Sequence, residues 1–219
     1  MARGLFVTGT DTGVGKTVVS AALLLRFRSC FPMCYWKPIQ TGIEQDDDTA
    51  DVRRLAACEP QEVRGDGVRL RHAVSPHLAA RLADVRVDLD SIGALGSHGI
   101  ARWVVEGAGG VLVPINETDL MIDLMTRLAL PVVVVARSTL GTINHTLLTL
   151  EALTSRGLRI AGVVMVGAPD SENRQAIESY GRTRVLGELP HLSPLTPGAL
   201  EAWARTSLDP HSHLIGSFE

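Results

Sequence analysis

The chain has 219 residues, 45% of them hydrophobic, enough to bury the core of one soluble domain. Its formal net charge of -3 argues against the basic surface that a nucleic-acid binder needs. Three cysteines, Cys30, Cys34 and Cys58, show no Cys-x-x-Cys spacing, which argues against a disulfide framework or a thiolate metal site and fits a reduced cytoplasmic protein.

The first apolar run, residues 5–8, is far too short for a signal peptide or a membrane span, so a cytoplasmic location is expected. Residues 4–8 predict a first strand. Residues 17–28 predict a helix with Val18, Ala21, Ala22 and Leu25 on one face. Residues 33–36 predict a second strand that stops at Lys37-Pro38, and 49–58 a helix whose apolar side is Val52, Leu55 and Ala56. Residues 60–100 are irregular and rich in turn signals, with a helix start near Leu78. A strand over 101–105 ends in Glu106-Gly107, and residues 131–136, with four consecutive valines, predict the strongest strand. A helix over 142–155, stopped by Gly157, a strand over 160–166 and a last strand over 185–189 complete the series.

Short apolar runs alternating with helices indicate an α/β fold. Strands this uniformly hydrophobic are buried on both faces, so a three-layer fold of the P-loop NTPase type is expected, with a mostly parallel sheet between helices. Repeats, low-complexity linkers and composition breaks are not visible, which gives one domain over 1–219. In such sheets ligands bind at the carboxyl ends of the strands.

Only two lysines, Lys16 and Lys37, stand against nineteen arginines. A chain that uses Arg for generic positive charge keeps Lys where a compact ammonium on a thin stem is required. Lys16 closes Gly9-Thr-Asp-Thr-Gly-Val-Gly15-Lys16-Thr17, which follows a strand and opens a helix. This is the setting of a phosphate-binding loop: backbone N–H groups cradle phosphate oxygens, Lys16 reaches the terminal phosphates and the Thr17 hydroxyl ligates Mg²⁺. Five residues rather than the usual four separate Gly9 from Gly15, which alters the loop's shape and not its role. The bland alternative is a glycine turn joining strand to helix.

Such a loop needs a carboxylate at another strand end to hold Mg²⁺. Glu106, ahead of Gly107-Ala108-Gly109-Gly110, supplies one. A second is expected within Asp46-Asp47-Asp48, a triplet that also reads as a solvated helix N-terminus. Lys37, ending a neighbouring strand, would project into the same crevice rather than lie on the surface.

Six stretches in this order resemble the dethiobiotin synthetase family over nearly the whole chain. They are Val7-Thr-Gly-Thr-Asp-Thr-Gly-Val-Gly-Lys-Thr17, Lys37-Pro-Ile-Gln-Thr-Gly42, Ser75-Pro-His77, Val105-Glu-Gly-Ala-Gly-Gly110, Leu140-Gly-Thr-Ile-Asn-His145 and Gly187-Glu-Leu-Pro190. The phosphate loop alone is unspecific; the others are not. The resemblance implies ring closure of 7,8-diaminononanoate with CO₂ and ATP to give dethiobiotin, ADP and phosphate, through a carbamate and a carbamic-phosphoric anhydride. It implies Lys16 and Lys37 as catalytic residues and Thr17, Asp48 and Glu106 as Mg²⁺ ligands, Asp47 and Asp51 being the alternatives to Asp48. It implies nucleotide contacts from Gly13, Val14, Gly15, Lys16, Thr17 and Val18, from Glu106, Gly107, Ala108 and Gly109, and from Pro190, His191 and Leu192 around the base. Thr12 and Thr41 match substrate-contacting positions. Gly141, Thr142 and Asn144 match a loop that reaches the substrate carboxylate bound mainly to the other subunit of a homodimer. At Thr142 the alternative reading is an ordinary helix cap. His77 and His145 are read as structural or substrate-positioning, and His211 and His213 as surface residues of a polar tail.

One departure is notable. Many family members carry Asn-Asp after the strand matching 160–165, where this chain has Val166-Gly-Ala-Pro169 and no side-chain amide to read an adenine edge. Several nucleoside triphosphates should therefore serve. Two rival readings fit less well. Cobyrinic acid amide synthetases need a glutaminase domain for which 219 residues leave no room. A ParA/MinD-type ATPase switch carries an early lysine in its phosphate loop, and residues 9–13 hold none.

Overall fold

The computed structural model of the protein describes residues 2–92, 95 and 101–219; the rest of the irregular 60–100 stretch lies outside them. The chain runs β1 (Gly4–Gly9), α1 (Lys16–Phe27), β2 (Met33–Trp36), β3 (Ile39–Thr41), α2 (Asp48–Leu55), β4 (Val63–Arg64), β5 (Val68–Leu70) and α3 (Pro76–Leu82). It continues through β6 (Arg102–Gly110), α4 (Met121–Leu128), β7 (Val132–Arg137), α5 (Thr142–Ser155), β8 (Ile160–Val166), α6 (Ser171–Gly181), β9 (Val185–Leu189) and α7 (Pro197–Ser207). Seven strands form one parallel sheet in the order β4-β2-β6-β1-β7-β8-β9, and β3 pairs with β5 apart from it.

Side chains alternate across each strand, so two cores form. Leu5 and Val7, Tyr35, Val104, Val133 and Val135 face α1, α2 and α7. Phe6, Trp36, Trp103, Val105, Val132 and Val134 face α3, α4, α5 and α6. This is the three-layer α/β fold that the run of apolar strands predicts. Among the described residues no helix is long and apolar enough to cross a membrane.

Three expectations change. The strand expected over 101–105 continues to Gly110, because Gly9 of β1 pairs with Gly110 and the glycines stay in the sheet. Glu106 is therefore inside β6 rather than at its end. Helices α4, α6 and α7 lie outside the elements expected from sequence; α6 buries only Ile177 and so shows little apolar stripe in its sequence. The C-terminal tail exposes His211 and His213 as expected, yet it is not merely polar. Leu214 and Phe218 are buried in the core on the α1 side, and Phe218 packs against Phe27 with ring centroids 4.8 Å apart and planes tilted by 43°.

The tail is thus part of the α1-side core. Phe218→Ala should cost about 3–5 kcal/mol, the range for a buried aromatic, read as a shifted midpoint in urea unfolding. An unchanged midpoint would show that the tail packs only superficially.

Candidate active site

The crevice opens where β1, β2 and β6 meet the start of α1. Gly15 caps α1 in the left-handed region with φ 99°, a conformation that favours glycine, and Gly13 has φ 70°. The loop so formed turns backbone N–H groups inward beside the helix start, and the Val14 side chain is buried beneath it. Lys16, the first residue of α1, is 7% exposed and donates from Nζ to the Asp11 carbonyl at 3.0 Å. Burial and then the neighbouring Lys37 hold its pKa below the ordinary lysine value.

Lys37 lies just beyond β2 and is 2% exposed. Its Nζ sits 2.8 Å from Glu106 Oε1 and 2.5 Å from Asp48 Oδ2, and also donates to the Gly107 carbonyl at 3.3 Å. Burial works against its charge, but Glu106 and Asp48 together outweigh that and raise its pKa. Lys37 is therefore an ammonium at neutral pH and not a proton acceptor. Burial likewise opposes ionisation of Asp48, and Lys37 overrides it, with a lowered carboxyl pKa as the result.

Thr17 Oγ1 donates to Asp48 Oδ1 at 2.6 Å and approaches Glu106 Oε1 at 3.2 Å. Oxygens from α1, α2 and β6 thus meet beside the Lys37 ammonium, which shares Glu106 Oε1 with Thr17 and takes the other oxygen of Asp48. Among the described residues no group of three or more His, Cys, Asp or Glu could hold a metal by itself. Two carboxylates and one hydroxyl suit Mg²⁺, which keeps waters and takes phosphate oxygens for its remaining positions. Of the alternatives to Asp48, Asp47 is instead the N-cap of α2, accepting from the Thr49 and Ala50 backbone at 3.0 and 3.1 Å. Asp51 pairs with Arg54 at 2.7 Å.

A cleft of about 650 Å³ is lined by Thr12, Gly13, Gly15, Lys16, Thr17, Val18, Lys37, Thr41, Asp48, Glu106, Ala108 and Gly109. Most of the residues singled out from sequence therefore share one cavity. Pro190, His191 and Leu192, after β9, do not line it, though Leu192 packs against the α1-side core. Gly141, Thr142 and Asn144 are also outside it, at the start of α5. Thr142 makes no cap bond there; its hydroxyl donates to the Arg137 carbonyl. Leu140 beside it is fully exposed. The sequence reading missed Gln45, Ala73, Val74 and Val113, which give the cleft a partly apolar far wall. It also missed Tyr35, whose hydroxyl donates to Glu106 Oε2 at 3.0 Å.

Removing the ammonium would strand a carboxylate that is fully buried. Lys37→Met should lose about 3–5 kcal/mol in chelator, with recovery when Mg²⁺ and nucleotide are added. A variant as stable as the parent in chelator would contradict the buried charge pairing.

An AAA domain family model matches residues 3–199. The ATP-dependent dethiobiotin synthetase BioD of Paramagnetospirillum magneticum is 52% identical over 90% of this chain and 93% of its own length. That of Bradyrhizobium diazoefficiens is 45% identical over 92% and 93%. The biotin biosynthesis bifunctional protein BioCD of Bordetella avium is 47% identical over 93% of this chain, which spans 43% of that longer protein. Among solved structures, the septum site-determining protein MinD of Pyrococcus horikoshii, complexed with Mg-ADP, superposes with a TM-score of 0.58 at 15% identity, covering 100% of this chain and 95% of that one. A ParA family ATPase of Chlorobium tepidum gives 0.53 at 12%, covering 100% and 98%. At those identities the likeness is of fold alone, which leaves the partitioning-ATPase alternative without further support. With two near-full-length relatives above 40% identity, the chain belongs to the ATP-dependent dethiobiotin synthetase family.

Proposed function

We propose that this protein is a Mg²⁺-dependent dethiobiotin synthetase that acts from one domain over 1–219. It closes the ureido ring of dethiobiotin from 7,8-diaminononanoate, CO₂ and ATP. The observation that carries the reading is the pair of buried lysines, Lys16 and Lys37, set in one crevice with Thr17, Asp48 and Glu106. The reaction brings two anions together, a carbamate and a γ-phosphoryl group, and clustered positive charge lowers that barrier.

The chemistry divides into three steps. One substrate amine bonds to the carbon of CO₂ and loses a proton, giving a carbamate. A carbamate oxygen then bonds to the γ-phosphorus as the bond to ADP breaks, giving the mixed anhydride. The second amine attacks the carbamoyl carbon, the C–O bond to phosphate breaks, and phosphate departs as the ring closes. Both nucleophiles belong to the substrate, so the protein's work is charge and position. Lys16 serves the nucleotide phosphates from the start of α1, with Gly13, Val14, Gly15, Thr17 and Val18 supplying the cradle. Lys37, held as an ammonium, faces the carbamate and the transferring phosphoryl group. Thr17, Asp48 and Glu106 would hold Mg²⁺, which supplies neutralisation of the β- and γ-phosphate charge. Ala108 and Gly109 line the cleft on the nucleotide side, whereas Gly107 does not line it and its missing side chain makes room for Phe6; Thr12 and Thr41 line the substrate side.

The far members of the site set fit a homodimer. Gly141, Thr142 and Asn144 open α5 away from the cleft, beside the fully exposed Leu140. A second subunit would bring this turn to the carboxylate end of the substrate.

On the base side, Pro190, His191 and Leu192 offer backbone contacts, while Val166-Gly167-Ala168 offers no amide. The nearby Asn173 donates its side-chain NH₂ to the Ser138 carbonyl at 3.0 Å and to Asp170 at 2.8 Å, so it is not free for the paired donor and acceptor contact by which an amide reads an adenine edge. Base selection therefore lacks a bidentate side-chain reader.

Protein mixed with diaminononanoate, bicarbonate and Mg²⁺ should form dethiobiotin, identified by mass, with ATP, CTP and GTP at rates within about tenfold of each other. Failure with every nucleotide would overturn the ligase reading, and a strong preference for ATP would overturn only the promiscuity.

A further inference from the structure

Tyr35 stands on β2 two residues before Lys37, so the two side chains share the α1 face of the sheet. Glu106 stands two residues after Val104 on the adjacent strand, which puts it on that same face. Tyr35 and Glu106 are both fully buried. The two oxygens of the Glu106 carboxylate have different company. Oε1 takes Lys37 Nζ at 2.8 Å and Thr17 Oγ1 at 3.2 Å, on the crevice side. Oε2 accepts from the Tyr35 hydroxyl at 3.0 Å, and among the described residues it has no other hydrogen-bond partner.

We propose that Tyr35 is the positioning residue of the cation site: it occupies Glu106 Oε2 and presents Oε1 alone, in a fixed orientation, to the cation that Thr17 and Asp48 also face. This rests on the reading of Glu106 as a Mg²⁺ ligand. Carboxylates that ligate metals are oriented by an outer hydrogen-bond partner, and loss of that partner typically weakens the metal about 10–100-fold. A carboxylate limited to one free oxygen also suits Mg²⁺, a small ion with strict octahedral demands. It disfavours Ca²⁺, which readily takes both oxygens of a carboxylate. The competing explanation is a core tyrosine whose hydroxyl has merely found an acceptor; it predicts a change in stability and none in cation binding.

The chain has two tyrosines, and Tyr180 is 77% exposed. Protein labelled with fluorotyrosine should therefore give two fluorine resonances, assigned with Tyr180→Phe. Adding Mg²⁺ to the ADP-saturated protein should move the Tyr35 resonance and leave that of Tyr180 in place. This measurement needs no variant in the site, so it stands even if Tyr35→Phe fails to fold. In the folded Tyr35→Phe variant, Mn²⁺ affinity of the ADP-loaded protein, read by electron paramagnetic resonance, should fall about 10–100-fold. Discrimination between Mg²⁺ and Ca²⁺ should narrow, while ADP affinity in chelator stays the same. In a Glu106→Gln background the same substitution should add no further loss. An unmoved Tyr35 resonance, or a Mn²⁺ affinity in Tyr35→Phe equal to that of the parent, overturns the role. Loss of Mn²⁺ in Glu106→Gln beside no loss in Tyr35→Phe overturns Tyr35 alone. Unaltered Mn²⁺ binding in Glu106→Gln removes the cation reading of Glu106 and this inference with it.

Discussion

A buried ammonium held between two carboxylates organises this site. Lys37 is 2% exposed, Glu106 is fully buried, and neither charge would be tolerated there without the other. The attraction of Glu106 and Asp48 exceeds the cost of burying Lys37, so the lysine stays protonated. The pairing also occupies the place where oxygens from α1, α2 and β6 meet. A divalent ion brought to those oxygens would compete with Lys37 for them, and a displaced Lys37 would be free to face an incoming anion. On the proposed function, cation site and catalytic lysine would then be two uses of one charge arrangement.

The sheet makes the arrangement available. Parallel strands β2, β6 and β1 lie side by side, and the two-residue alternation turns Tyr35, Lys37, Val104 and Glu106 toward α1. The start of α1 then brings Lys16 and Thr17 down onto the same spot, and α2 closes it with Asp48. Asp47 serves as the N-cap of α2, and that capping leaves Asp48 in the first turn, aimed at Thr17 and Lys37. The short acidic triplet thus divides its labour between folding a helix and completing a site.

Much of this was legible in the sequence because each main participant sits in a short motif with a mechanical meaning. Gly15-Lys16-Thr17 after an apolar strand indicates a phosphate cradle, and two lysines among nineteen arginines single out Lys37. Tyr35 was not legible. A tyrosine inside an apolar strand reads as core, and its hydrogen-bond partner lies 71 residues away. The apolar run stops at Glu106, which places it at a strand end, whereas pairing of Gly9 with Gly110 keeps the glycines after it in the sheet. Gly141, Thr142 and Asn144 carry a motif but no contact with the cleft within this chain. Their place in a site rests on the proposed second subunit, which the geometry of one chain does not supply.

The most direct test is a crystal structure grown with Mg²⁺, a non-hydrolysable ATP analogue, bicarbonate and diaminononanoate. The expected density puts the cation against Thr17, Asp48 and Glu106, with the Lys37 ammonium turned onto the γ-phosphoryl group and the carbamate. A cation held elsewhere, or Lys37 still wedged between Glu106 and Asp48 with both substrates bound, would contradict the shared role of these charges.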